Sequence, residues 1–163
     1  MENISLKNLR DKYNCSALEE LSSIYPIPVD KICSSLGIEA TYLPMSEDIS
    51  GRIYCANDKY FIEANCRHVI TRRRFTVAHE LGHYCLHKDF LDSSGMILER
   101  STRSFVIRDK EIEADKFAAE LLMPQIHFIE KHSELKSIAS LSQYFLVSTL
   151  AIEMRIKTLL GKQ

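Results

Sequence analysis

Residues 79–83 read His-Glu-Leu-Gly-His, inside a run from Thr71 to His87 whose pattern is helical. Histidines four apart on a helix project from one face, about 6 Å apart along the axis. Both imidazoles can therefore reach one metal ion, and a tetrahedral Zn²⁺ takes neutral imidazole nitrogen readily. Glu80 points about 100° round the helix, towards a water on that ion rather than the ion itself. The pattern arises by chance in about one shuffled chain of this composition in fifty. It constrains the fold because the helix must be covered, and because a third ligand has to come from another element.

The chain has 163 residues and a net charge of −1, with 21 basic and 22 acidic side chains. That length suits one domain with its own core. The balanced charge gives no global basic field, which argues against direct nucleic-acid binding. No stretch approaches the 18 or so consecutive apolar residues of a membrane span, and Met1 to Arg10 lacks the apolar core of a signal peptide. The cysteines at 15, 33, 55, 66 and 85 are odd in number and include no C-x-x-C pair. Neither a disulfide scaffold nor a thiolate zinc ribbon is expected, and a reducing cytoplasm is the natural compartment.

The order of patterns predicts an α+β fold, with helices and strands segregated rather than alternating. Residues 1–37 read as N-terminal helices. Ser16 to Tyr25 carries Leu18, Leu21 and Ile24 at helical spacing and stops at Pro26. Asp30 can cap a short helix through Leu36, with Gly37 just past its end. Residues 38–64 read as a small, mainly antiparallel sheet. Ile38 to Leu43 is extended, and Gly51 to Ala56 and Lys59 to Ala64 are joined by Asn57-Asp58, a two-residue hairpin signal. Next come the motif helix at 71–87, with Thr71 as its N-cap, and a polar, linker-like stretch from Asp89 to Lys110. A firm helix follows from Lys110 to Met123, and the tail at 125–163 reads as two or three short helices. All of this forms one domain.

For the third ligand, His87 lies eight residues past His79 and would need the helix to break, with no glycine between His83 and His87 to turn it. The segment Glu111-Ile112-Glu113-Ala114-Asp115 offers better. Glu111 and Asp115 share a helix face, so Glu111 can ligate while Asp115 orients a ligand histidine. Glu113 points nearly the other way and is the alternative third ligand. The oxyanion stabiliser is not legible, with Tyr84, Tyr144, His127 and His132 all on hand. Cys85 reads as a small buried apolar residue. Arg72, Arg73 and Arg74 read as a solvated helix start, an arrangement the helix dipole disfavours unless acidic residues of the N-terminal helices compensate. Ser142 to Arg155 faintly resembles half of a helix-turn-helix but has few basic residues, and reads as closing helices.

The run Arg73-Arg74-Phe75-Thr76-Val77-Ala78-His79-Glu80-Leu81-Gly82-His83-Tyr84-Cys85-Leu86-His87 resembles the signature of the ImmA/IrrE family of metallopeptidases. So does Glu111-Ile112-Glu113-Ala114-Asp115-Lys116-Phe117-Ala118-Ala119-Glu120-Leu121-Leu122-Met123-Pro124. Weaker matches lie at Val29 to Ile38 and Phe145 to Ser148, so the resemblance runs from about residue 26 to 160. It implies a zincin-like fold and one Zn²⁺ per chain on His79, His83 and an acidic residue of the second motif. Glu111 agrees with the usual position of that ligand, four before Asp115. It also implies a protein substrate. Such proteins are often encoded on phages and mobile elements beside a helix-turn-helix repressor, which they cleave or inactivate as antirepressors. Glu80 would take the proton of the attacking water and return it to the leaving amine. Substrate would add to a sheet edge, at Ile53 to Ala56 or Tyr60 to Ala64. The competing expectation is a non-catalytic antirepressor with a structural metal. No separate DNA-binding or sensor module is read in the chain.

Overall fold

The computed structural model describes residues 21, 23–94, 98, 99 and 105–161. Among them are six helices and a four-stranded sheet. Helix α1 spans Val29–Ser35, and strands β1, β2 and β3 span Glu39–Leu43, Gly51–Ala56 and Lys59–Asn65. Helix α2 spans Ile70–Ser94, strand β4 is the two-residue Leu98–Glu99, and helix α3 spans Phe105–Leu122. Helices α4, α5 and α6 span Gln125–Leu135, Ile138–Phe145 and Thr149–Leu160.

The α+β class predicted by the segregated patterns is the one observed. The sheet order is β1-β3-β2-β4. Strands β2 and β3 form the expected hairpin, with Ala56 opposite Lys59. Asn57 and Asp58 take φ of 51° and 59°, left-handed values that match the twist of a tight hairpin and that these two residue types tolerate. Strand β1, however, pairs with β3 in parallel, Glu39 opposite Phe61, so the sheet is mixed. The crossover this requires passes through residues 44–50. Asn65, fully buried, holds that segment: its Nδ2 donates to the carbonyls of Ser46 and Ile49, and its Oδ1 accepts from the Met45 and Arg67 amides.

Several expected boundaries shift. Asp30 lies in the first turn of α1 rather than at its cap, which is Pro28. Its carboxylate instead accepts the Tyr42 hydroxyl at 2.6 Å and so ties α1 to β1. Thr71 falls inside α2, which starts one residue earlier. The stretch from Asp89 to Lys110 is not a linker at its ends, since α2 runs on to Ser94 and α3 begins at Phe105. Its middle lies in part outside the described residues, as do the first residues of the helix expected at Ser16 to Tyr25. Within that helix Leu21 is helical, and residues 23–26 form a turn and bends. The tail does form three short helices, two of them capped by serine. Ser137 accepts from the Ser140 amide and Ser148 from the Ala151 amide, each satisfying a donor the helix start leaves open.

Helix α2 is the centre of the molecule. It packs on β2 and β3 on one side and on α3 on the other. Residues 76–85 are all buried. Val77, Ala78, Leu81 and Cys85 join Ile53 and Ile62 of the sheet and Phe117, Ala118, Leu121 and Leu122 of α3 in one apolar cluster. Cys85 is thus the small buried apolar residue it was read to be. No helix among the described residues is long and apolar enough to cross a membrane.

Candidate metal centre

A helix buried all round carries polar side chains only where they find partners. Within the buried stretch of α2, His79, Glu80 and His83 are each 1–2% exposed. The partners of the two histidines come from α3, and glycine makes that approach close enough. A Cβ built on Gly82 would meet the Ala114 Cα at 3.2 Å, the Ala114 carbonyl at 3.3 Å and the Phe117 ring at 3.1 Å. A glycine inside a helix costs roughly 1 kcal/mol against alanine, and here it lets two backbones cross almost in contact. Glu111, one turn before Ala114 and Asp115, then faces the histidines.

The resulting geometry is tight. His79 Nε2 lies 3.2 Å from Glu111 Oε2, His83 Nε2 lies 3.1 Å from Glu111 Oε1, and the two Nε2 atoms are 3.0 Å apart. His79 Nδ1 hydrogen-bonds Asp115 Oδ1 at 2.8 Å. Burial alone would lower the His79 pKa, but hydrogen bonds to Asp115 and Glu111, with the charge of Glu80, hold it up at about 9. Burial would raise the Glu111 pKa, yet His79 and His83 pull it well below the usual carboxylate range. Burial lowers His83, whose Nδ1 is buried and meets no hydrogen-bond partner among the described residues.

These residues fit a metal ion. Ligand atoms on a tetrahedral Zn²⁺ stand about 3.3 Å apart, close to the 3.0, 3.1 and 3.2 Å observed. Without a cation, Glu111 needs a proton on each Nε2, and those two N–H groups would then face each other at 3.0 Å. Two donors cannot bond each other, whereas one cation satisfies both nitrogens and the carboxylate. His79, His83 and Glu111 are the group of ligand-type side chains, among the described residues, whose donor atoms converge in this way. Asp115 lies behind His79, where a carboxylate fixes ring orientation and leaves Nε2 to ligate.

The other candidates lie elsewhere. Glu113, 56% exposed, points away and approaches His87 at 3.5 Å. His87 does sit at a break in α2, with φ −128° and ψ 26°, although no glycine or proline marks one. Its ring nevertheless stays out of the converging set and turns to the Lys110 carbonyl. Tyr84 packs edge-on against Tyr60. His127 and Tyr144 hydrogen-bond each other at 2.9 Å and stack with Tyr25, and His132 packs on Phe128. Strand β3 is flanked by β1 and β2, so Tyr60 to Ala64 cannot accept an added strand. On its other side β2 pairs with β4, at Arg52 and Ile53 among the described residues. Beside the centre runs a largely apolar groove of about 650 Å³, walled by Phe75, Ile112, Asp115, Leu150 and Met154.

A mixed sheet laid on one long helix, with a second helix crossing beneath it, defines a small zincin-like fold. The chain belongs to the IrrE N-terminal-like domain family of peptidases, whose sequence profile matches residues 33–157. A metal is what such a peptidase family implies. Comparison with curated proteins finds no significant match. Among solved structures, a Mycobacterium tuberculosis transcriptional regulator superposes with a TM-score of 0.62 at 18% identity, over 98% of this chain and 52% of that one. The chain thus spans about half the length of that regulator, and the likeness is one of fold.

Proposed function

We propose that the chain is a zinc-dependent endopeptidase acting on a regulatory protein, most simply a helix-turn-helix repressor encoded nearby, in the cytoplasm. The observation that carries this reading is the convergence of His79, His83 and Glu111 within 3.0–3.2 Å of one another, with buried Glu80 close enough for its charge to act on His79. His79, His83 and Glu111 would hold the ion, and Asp115 would orient His79. When bound, Zn²⁺ polarises a carbonyl and makes water acidic enough to ionise near neutral pH. Glu80 serves as the base that receives the water proton and hands it to the leaving amine. At 2% exposure that carboxylate is shielded from bulk water. Two neutral imidazoles and one carboxylate leave the loaded site net positive, which suits a developing oxyanion. The groove walled in part by Phe75 and Asp115 gives room for apolar side chains of a substrate.

A purely structural metal has no use for Glu80, so one substitution separates hydrolysis from mere binding. Zinc-loaded protein incubated with the adjacent repressor should yield two fragments by intact mass. Glu80→Gln should abolish the fragments with zinc still near one per chain. Undiminished cleavage by that variant would reject the base assignment, and repressor inactivation that survives chelation would reject the peptidase reading. His79→Ala should instead lose the metal.

A further inference from the structure

Among the buried titratable side chains that the proposed chemistry does not use is one on α2 itself, His87. His87 is 5% exposed and sits where α2 departs from helical geometry. Neither glycine nor proline accounts for the departure, so a tertiary contact must. The contact is on the ring: His87 Nε2 lies 3.2 Å from the carbonyl oxygen of Lys110. A carbonyl only accepts, so Nε2 carries the proton and donates it. Glu113 Oε2 flanks the same nitrogen at 3.5 Å. That N–H therefore ties the ring to α3. The His83 and His87 ring centroids are 5.4 Å apart, so the three histidines of α2 form one row along the face that α3 covers. Lys110 is the residue immediately before Glu111. Fixing its carbonyl fixes where along α2 the Glu111 side chain emerges.

We propose that His87 is a positioning residue: donation from its Nε2–H to the Lys110 carbonyl sets the register of α3 against α2, and so brings the Glu111 carboxylate to His79 and His83. This rests on the reading of those three residues as a metal site. Gly82 sets how close the helices come, and His87 sets how far one is slid along the other. A ligand shell needs both, since a slide of one ångström would part Glu111 from two nitrogens 3.0 Å apart.

The test is cobalt and zinc binding by purified metal-free protein. It reads the visible absorption of the Co²⁺ form and the Zn²⁺ affinity in competition with a chromophoric chelator. The glutamine amide nitrogen can stand where His87 Nε2 stands, and that of asparagine falls short. His87→Gln should bind within about threefold of wild type. His87→Asn and His87→Leu should bind about tenfold to a hundredfold more weakly, as loss of a ligand-supporting contact does, with an altered cobalt spectrum. Gln and Asn variants that bind alike would overturn the proposal, because simple space-filling then suffices. The same holds for a Leu variant with wild-type affinity and spectrum. Should the Leu variant fail to fold, the comparison of the two amides still decides. Wild-type protein that takes up no cobalt would refute the metal reading itself, and this proposal with it.

Discussion

Arg72, Arg73 and Arg74 stand side by side in the sequence and have three different fates. Arg72 is exposed and reaches the Ser50 hydroxyl at 2.9 Å. Arg73 lies over the Tyr42 ring, 5.4 Å from its centroid. Arg74 is 8% exposed, donates to the carbonyls of Ile27 and Leu146 at 2.9 and 3.2 Å, and has the charge of Asp30 to offset its burial. The expected solvated helix start is therefore wrong for Arg74, and the expected compensation from an N-terminal acid is present. Nothing in the triplet itself distinguishes its members. Only the 100° step per residue against a sheet on one side and α5 on the other does so. Arg74→Met takes the side-chain donor from the partly buried Leu146 carbonyl and one of two donors from the Ile27 carbonyl, which keeps the Val29 amide, at about 1–3 kcal/mol before relaxation. Arg72→Met removes one partly buried hydrogen bond from an otherwise exposed side chain, about 0.5–1 kcal/mol. Thermal melts of the two variants should differ by several degrees, Arg74→Met being the lower, and coincident melts would contradict the assigned roles.

At the scale of elements, the strongest periodic and turn signals read correctly. The buried helix around His79, the hairpin at Asn57-Asp58, the three closing helices and the pairing of Glu111 with Asp115 on one face follow from spacing alone. What spacing does not carry is contact between distant segments. The parallel pairing of β1 with β3 depends on Asn65 holding residues 44–50. The break at His87 coincides with a hydrogen bond to a carbonyl 23 residues away. The importance of Gly82 appears only when α3 lies across it, since a lone glycine in a helical pattern reads as a weak point rather than a crossing. Gly82→Val makes that crossing testable. Two methyl groups beyond a Cβ already at 3.2 Å from the Ala114 main chain force the helices apart, and overpacking of this kind costs typically 1–3 kcal/mol. The variant should therefore lose stability and metal affinity together, whereas Glu111→Gln should weaken metal binding with little loss of fold. A Gly82→Val protein with full metal affinity would show that the close approach is not what assembles the site.

Taken whole, the described residues meet on α2, with the sheet on one side and α3 on the other. The candidate ligands straddle the second of these contacts, with His79 and His83 from α2 and Glu111 from α3. A metal ion there would cross-link the two helices most central to the core. It would not create the fold, because Phe117, Ala118, Leu121 and Leu122 already pack α3 onto the cluster that α2 shares, and Asp115 and Glu111 already bind the histidine rings. This differs from a zinc finger, where the ion supplies most of the folding free energy and chelation unfolds the chain. Stripping metal should consequently leave circular dichroism nearly unchanged and lower only the melting temperature. An ion that binds the native state alone adds about 2.7 kcal/mol when present at a hundred times its dissociation constant. For a chain of this size that is roughly 5–10 °C. Melts of wild-type protein with excess zinc and with chelator should show that gap, and Glu111→Ala should erase most of it by losing the cross-link. A gap that persisted undiminished in Glu111→Ala would place the stabilising ion somewhere other than between α2 and α3.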